Sequence, residues 1–154
     1  MASSTASSSP GACGRDSIVI VVKGIHHVAV AVDDLDEAIA TYGRLFGAEL
    51  EHRDTVNEQG VEAAAVLVGQ SRIELLAATD ADTPVGRFLA RRGPGMHHVA
   101  YEVDDLEAQM TRLNAAGVEL IDHEPRRGLY GMQVAFVHPS SVDGVLSELV
   151  SHGR

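Results

Sequence analysis

The sequence predicts an α+β fold built from two tandem βαβββ units that are related by a pseudo-twofold axis. This prediction rests on an internal repeat and on the alternation of strand and helix patterns that follows each copy. Three segments return in the second half at offsets of 71, 71 and 70 residues: GIHHVA at 24–29 as GMHHVA at 95–100, VDDL at 32–35 as VDDL at 103–106, and GAEL at 47–50 as GVEL at 117–120. Two copies of one supersecondary unit indicate a pseudosymmetric domain.

The first unit opens with a β-branched strand at residues 26–32 and continues into an amphipathic helix. Asp34 and Glu37 have the spacing of a capping box, and Gly47 is placed to end the helix. Three further runs read as short strands. They cover residues 49–53, 60–68 and 71–77, the last two being joined by a glycine-containing turn.

The second unit repeats this order. It has a strand at 97–103 and a helix at about 105–116 that Gly117 ends, and its later strands are expected near Leu120, at 132–138 and at 145–150. Between the units, a linker helix is expected at about 83–92, because proline at its second residue suits the first turn of a helix.

The ordered domain is expected to span residues 21–152, with units at about 24–78 and 95–151. Residues 1–20 are expected to form a disordered leader, since their first part is rich in Ser, Ala and Gly and has no apolar periodicity. This segment lacks the basic start and continuous apolar core of a secretory signal.

Composition excludes several classes of function. The net charge of −10 argues against a nucleic-acid surface or an anionic membrane surface, because binding of phosphates needs clustered Lys and Arg. The single cysteine, Cys13, excludes an intramolecular disulfide framework, and no apolar stretch is long enough to cross a membrane. A cytoplasmic protein is therefore expected.

The duplicated histidine pairs are the first candidate site. Neighbouring residues of a regular strand point to opposite faces, so one histidine of each pair is expected to face a cavity. His27 and His98 share their face with alanines, whereas His26 and His97 share theirs with bulkier residues that should pack against helices. The alternative is that all four are ordinary strand histidines with satisfied hydrogen bonds.

Two glutamates repeat in the same way. Glu74 and Glu148 each interrupt an apolar strand late in their own unit, and a lone carboxylate there is costly to bury unless it is paired or bound to a metal. Two histidines and two glutamates would form an N₂O₂ site for a divalent ion. The alternative is that both glutamates face solvent on edge strands.

The chain resembles the vicinal oxygen chelate superfamily, which includes glyoxalase I and the extradiol dioxygenases, and in particular its methylmalonyl-CoA epimerases. The resemblance covers about residues 24–150 and is carried by the order of several short motifs: EQGV at 58–61, IELL at 73–76, TPV at 83–85, GMHH at 95–98, DHEP at 122–125, and HP with GVL at 138–139 and 144–146. It implies a cupped mixed sheet.

The resemblance further implies metal ligands at His27, Glu74, His98 and Glu148, with position 74 being glutamine in some members. The implied ion is divalent: Co²⁺ first, with Mn²⁺, Ni²⁺ or Zn²⁺ as alternatives. The implied reaction interconverts (2R)- and (2S)-methylmalonyl-CoA by abstraction and return of the α-proton through a metal-stabilised enolate. Glu148 and Glu62 are the candidate acid/base residues, although Ala63 stands where a direct alignment expects the second glutamate.

Two other functions stay open at this stage. A glyoxalase I-like lactoylglutathione lyase would use the same four ligands, and a metal-free small-molecule binding protein occurs on the same fold. The coenzyme phosphates are expected to meet local arginines, with Arg87, Arg91, Arg92 and Arg126 as candidates. A homodimer is expected, as is common for small domains.

Overall fold

One mixed sheet and three helices make up the computed structural model, which describes residues 18–153. The strands are β1 (Gly24–Ala31), β2 (Glu49–Val56), β3 (Val61–Val68), β4 (Ser71–Ala78), β5 (Gly95–Glu102), β6 (Arg126–Arg127), β7 (Gln133–Val137) and β8 (Ser147–Ser151). The helices are α1 (Leu35–Phe46), α2 (Pro84–Arg92) and α3 (Leu106–Ala115), and short 3-10 turns lie at Asn57–Gln59, Leu129–Gly131 and Pro139–Ser141.

The strand order shows the predicted pseudo-twofold symmetry directly. It is β2-β3-β4-β1-β5-β8-β7-β6, so each unit contributes four neighbouring strands and the two units join where β1 and β5 pair antiparallel. Within each unit the first and last strands are parallel, β1 with β4 and β5 with β8. The predicted α+β fold with a cupped mixed sheet is confirmed.

The helices begin where the sequence predicts. The side chain of Asp34 accepts a hydrogen bond from the backbone N–H of Glu37 at 2.9 Å, and Asp105 caps α3 in the same way through Ala108 at 3.1 Å. Gly47 ends α1 with a left-handed φ of 65°, a conformation that favours glycine. The repeated VDDL motif therefore marks the same strand-to-helix turn in both units.

The sheet has a heavily packed outer face and an inner face of small residues. Leu35 of α1 and Leu106 of α3 belong to two separate clusters that cover the outer face of the first and second unit. Alanines make up much of the inner face, and α2 packs against this face through Val85. These alanines are Ala29, Ala31, Ala63, Ala65 and Ala100. Their short side chains leave room inside the cup.

The second unit departs from prediction at its weakest strand. The expected strand near Leu120 is reduced to an isolated bridge between Leu120 and Val137, and the edge strand is the two-residue β6. Pro125 lies between the two and has no N–H to donate to a ladder, which accounts for the interruption.

Most of the expected leader, residues 1–20, lies outside the described residues. Of its last three residues, Ile20 packs against the outer-face cluster beneath α3. The next residue, Val21, donates its backbone N–H to the side-chain oxygen of Gln109 at 3.4 Å, which ties this segment to the helix.

Candidate metal centre

The four repeated side chains meet at the seam between the two units. Ala29 of β1 is paired with Glu74 on one side and with His98 on the other. Ala100 of β5 is paired in the same way with Glu148 and with His27. Each pair of functional side chains therefore flanks an alanine, and the pseudo-twofold axis places the two sets face to face.

These side chains are close together and buried. The Nε2 atoms of His27 and His98 are 3.3 Å apart, and His27 Nε2 is 3.3 Å from Glu74 Oε2. Glu148 lies between the two imidazoles, with one carboxylate oxygen 3.6 Å from His27 Nε2 and the other 3.7 Å from His98 Nε2. The exposed fraction of these four residues is between 2% and 8%.

The chemistry of this donor set fits a divalent cation. Potential ligand atoms of His27, His98 and Glu148 all lie within 4.8 Å of one another, and Glu74 adds a fourth beside His27. Within 4 Å, the ion-pair partners of the two carboxylates among residues 18–153 are these histidines, not a lysine or arginine. Two buried carboxylates beside two neutral imidazoles form a site that lacks positive charge and that a metal ion would complete.

Burial sets the protonation of the cluster when no cation balances it. Burial raises the pKa of Glu74 to about 7. Burial, and then the charge of Glu74, raise the pKa of Glu148 well above its ordinary value. Burial also lowers the pKa of His27 to about 3 and that of His98 well below its usual range. In the absence of a cation, protons therefore bind to the carboxylates, whereas the histidines stay neutral and able to bind a metal.

Metal affinity should consequently fall as the pH decreases below about 7, since protons on Glu74 and Glu148 compete with the ion. Calorimetric titration with Co²⁺ at about pH 8 and about pH 6, in buffers of different ionisation enthalpy, measures both affinity and proton release. We expect weaker binding with more protons released at the lower pH. Equal affinity and equal proton release at the two pH values would contradict this assignment.

The other histidine of each pair also lies at the cavity, contrary to the strand-parity prediction. His26 and His97 are the extra residues of two β-bulges in the β1–β5 pair, since the register skips each of them. A bulge re-aims its side chain, so both adjacent histidines reach the inner face. His26 Nδ1 lies 2.8 Å from His27 Nδ1, and His97 Nδ1 lies 2.8 Å from His98 Nδ1.

Two cavities flank the cluster. The inner cavity, of about 10 Å³, lies on the side of His26. It is lined by His26, His27, Gln59, Glu74, Leu129, Tyr130, Met132 and Glu148. The outer cavity, of about 130 Å³, lies on the side of His97. It is lined by Gln59, Val61, Leu76, Pro84, Val85, His97, His98, Ile121, Arg126, Phe136 and Leu146. The cluster is therefore reached from two sides.

The outer cavity opens into a groove of about 450 Å³. The two share Pro84, His97, His98, Ile121 and Leu146, and the groove also contains Phe88, Arg91, Arg92, Met96, His138 and Val145. Met96 and Val145 are 66% and 43% exposed, so the groove offers apolar surface to a ligand beside two arginines.

Glu62 does not join the cluster. Its neighbours Ala63 and Ala65 alternate onto the inner face of β3, which turns Glu62 toward the outer face. There its carboxylate accepts a hydrogen bond from Arg53 at 2.8 Å, and Arg53 also contacts Asp36 of α1. The expected acid/base role of Glu62 is therefore not supported by its position.

Glu62→Gln should leave both kcat and metal content unchanged, because a side chain on the outer face contacts neither the cluster nor its cavities. Steady-state kinetics and metal analysis of the purified variant would check this. A loss of kcat of about tenfold or more, which is the low side of a general-base contribution, would instead support an acid/base role for Glu62.

Sequence reasoning missed Gln59 and Tyr130. Gln59 lines both cavities and donates from Nε2 to the carbonyl of Arg127 at 3.3 Å. Tyr130 lies in the turn that covers the inner cavity and has a left-handed φ of 63°. The flanking glycines at 128 and 131 signal a turn there, but not which side chain it directs inward.

No helix among residues 18–153 is long and apolar enough to span a membrane.

Comparison with known proteins agrees with the resemblance. A bovine mitochondrial methylmalonyl-CoA epimerase is 38% identical over 126 residues, which is 81% of this chain and 72% of the relative. A crystal structure of methylmalonyl-CoA epimerase from Mycobacterium tuberculosis superimposes with a TM-score of 0.82 at 38% identity and covers 86% of this chain and 89% of its own. A methylmalonyl-CoA epimerase solved with methylmalonyl-CoA and NH4+ has a TM-score of 0.82 at 36% identity, covering 85% and 95%.

Residues 26–136 match the glyoxalase/bleomycin resistance protein/dioxygenase superfamily. This span contains three of the four cluster residues and ends before Glu148. The relatives named above are epimerases and therefore isomerases. The chain belongs to the glyoxalase/bleomycin resistance protein/dioxygenase superfamily.

Proposed function

We propose that this protein is a metal-dependent epimerase that interconverts (2R)- and (2S)-methylmalonyl-CoA. The observation that carries the proposal is the buried cluster of two histidines and two carboxylates at the seam of the cup. Relatives at 36–38% identity that bear the name methylmalonyl-CoA epimerase support the choice of substrate. Sequence similarity and donor chemistry thus favour the same reaction.

His27, Glu74, His98 and Glu148 would hold one divalent ion. We propose Co²⁺, with Mn²⁺, Ni²⁺ and Zn²⁺ as alternatives. When bound, such an ion would withdraw electron density from the thioester and carboxylate oxygens of the substrate and stabilise the enolate charge that forms when the α-proton leaves.

Glu148 is the residue we propose to move the proton. Its carboxylate is 3% exposed, lines the inner cavity and is the one that approaches both histidines. Inversion at the α-carbon requires removal of the proton from one face and delivery of a proton to the other face, and we propose Glu148 for one of these two transfers.

The open groove suits the coenzyme portion of the substrate. Its apolar lining fits an extended pantetheine chain, and Arg91 and Arg92 supply positive charge for phosphates in a chain whose net charge is −10. Arg126 lines the outer cavity but is engaged by Asp122, and Arg87 donates to the carbonyl of Asp82. We therefore propose Arg91 and Arg92 as the phosphate contacts.

Epimerisation of (2R)-methylmalonyl-CoA by Co²⁺-loaded and chelator-treated protein tests the proposal. Loaded protein should convert the substrate to an equilibrium mixture of enantiomers, and chelation should abolish the conversion. Turnover only of a glutathione thiohemiacetal would instead indicate a lactoylglutathione lyase. If the protein binds neither metal nor CoA thioesters, the epimerase proposal is contradicted, and a metal-free small-molecule binding protein of the same fold is favoured.

A homodimer and a cytoplasmic location stay predictions. Sedimentation velocity of the purified chain would test the first, with a mass near twice 16.3 kDa expected.

A further inference from the structure

The two cavities beside the histidine and glutamate cluster differ in size. The inner cavity has a volume of about 10 Å³, which is about the space that one water molecule needs. The outer cavity has a volume of about 130 Å³. Since an apolar cavity of about 150 Å³ can bind benzene, which has six carbons, the outer cavity has room for roughly five carbons. Of the two, only the outer cavity can take an apolar substituent of an acyl group bound at the cluster.

The wall of the outer cavity is formed mainly by buried apolar side chains from both units. Val61 of β3, Leu76 of β4 and Val85 of α2 belong to one packed cluster on the inner face of the sheet. Phe136 of β7 comes from the second unit, and its ring meets that of His98 edge-on with centroids 5.1 Å apart. The apolar wall therefore begins directly beside a candidate metal ligand.

Polar side chains of this wall have partners within the protein. Arg126 donates to a carboxylate oxygen of Asp122 at 3.4 Å and to the carbonyl oxygen of Glu58. Gln59 donates from Nε2 to the carbonyl oxygen of Arg127 at 3.3 Å. Because these donors are already engaged, the cavity suits an apolar group better than a charged one.

We propose that the outer cavity holds the α-substituent of the acyl group and accepts 2-alkylmalonyl-CoA thioesters whose substituent is longer than methyl, and that Val61, Leu76 and Val85 determine the accepted length. Carbon 2 and a methyl group account for two of the roughly five carbons, so ethyl and propyl substituents also fit. Glu148 lines the inner cavity, on the other side of the cluster, so a longer substituent does not displace the side chain that we propose for proton transfer. The inference rests on the proposed epimerase function and extends it to a wider class of acyl group.

The affinity of chelator-treated protein for saturated acyl-CoAs, measured by calorimetry, tests the pocket without turnover. Propionyl-, butyryl- and pentanoyl-CoA carry a methyl, an ethyl and a propyl group on carbon 2 and lack the second carboxylate. Each added methylene should tighten binding by about fourfold, as expected for the burial of one CH₂ group. Heptanoyl-CoA, whose pentyl group exceeds the cavity, should bind no more tightly than pentanoyl-CoA.

Val85→Phe and Val85→Ala should change this series in opposite directions. Val85→Phe narrows the cavity and should weaken binding of pentanoyl-CoA by about tenfold, while binding of propionyl-CoA changes by less than about threefold. Val85→Ala widens the cavity and should extend the gain in affinity to heptanoyl-CoA. Val66→Ala is the matched control, because Val66 is also a buried valine but packs in the cluster on the outer face of the sheet. It should leave the series unchanged.

Kinetics of metal-loaded protein complete the test. Methylmalonyl-, ethylmalonyl- and propylmalonyl-CoA should be epimerised with kcat/KM values within about tenfold of one another, because none of the three substituents exceeds the cavity. If affinity does not rise with chain length, or if folded Val85→Phe and Val85→Ala both keep the series of the unmodified protein, the pocket assignment is overturned although methylmalonyl-CoA is still epimerised. Failure of loaded protein to epimerise methylmalonyl-CoA would overturn the proposed function and this inference with it.

Discussion

His98→Ala is expected to lose most of its metal and its activity. The variant removes a ligand atom that lies 3.3 Å from His27 Nε2 and 3.7 Å from Glu148. Ala100, which follows on the inner face of β5, offers no ligand atom, and the ring of His97 packs against Phe88. We expect the affinity for Co²⁺ to fall by more than about 100-fold, beyond the range for residues that merely support a ligand. Metal analysis and calorimetry of the folded variant measure this.

His97→Ala is the matched control for that variant. His97 lies next in the chain and touches His98 through Nδ1 at 2.8 Å, but its ring packs against Phe88 of α2 at a centroid distance of 5.0 Å. It should retain the ion with an affinity lowered by about tenfold, as for an outer partner. If His97→Ala lost the metal and His98→Ala kept it, the assignment of the ligands would be reversed.

Glu148→Gln is expected to lower kcat by at least about 100-fold at saturating metal, because an amide cannot accept the α-proton. Glu74→Gln is its matched partner, since both carboxylates are buried on β-strands that flank the seam. Among residues 18–153, the ion-pair partner of Glu74 within 4 Å is His27, and the resemblance implies that glutamine serves at this position in some members. Its kcat should stay within about tenfold of the unmodified protein.

Steady-state rates with each enantiomer, measured at several Co²⁺ concentrations, separate loss of metal from loss of chemistry. Should Glu74→Gln prove more damaging than Glu148→Gln once metal is saturating, the proton-transfer role would pass to Glu74.

The repeat in the sequence predicted the fold well because each copy carries its own local signals. Asp34 and Asp105 cap their helices in both units, and the glycines at 47 and 117 follow the helix ends. The short strand β6 has no local signal in the sequence, because two residues are too few to show a strand pattern and the pairing is made with β7.

The histidine and glutamate cluster was predicted from repetition and strand parity, and the structure brings those four residues together. Parity failed for His26 and His97 because each occupies a bulge, and a bulge arises from the register of two strands about 70 residues apart. Glu62 alternates with Ala63 along β3, and this alternation turns its side chain outward. The contacts of Tyr130 with Glu51 cross between units and leave no local trace in the sequence.

Exchange of the α-proton with solvent tests the central claim most directly. Methylmalonyl-CoA is incubated in deuterated water with Co²⁺-loaded protein, and the substrate is followed by proton NMR and mass spectrometry. We predict that the C2 proton is replaced by deuterium while the thioester stays intact, and that His98→Ala abolishes the exchange. If loaded protein converts one enantiomer into the other without any deuterium at C2, the proposed proton abstraction by a side chain that exchanges with solvent is contradicted. If loaded protein binds the substrate but catalyses neither deuterium exchange nor interconversion of the enantiomers, the epimerase assignment is contradicted.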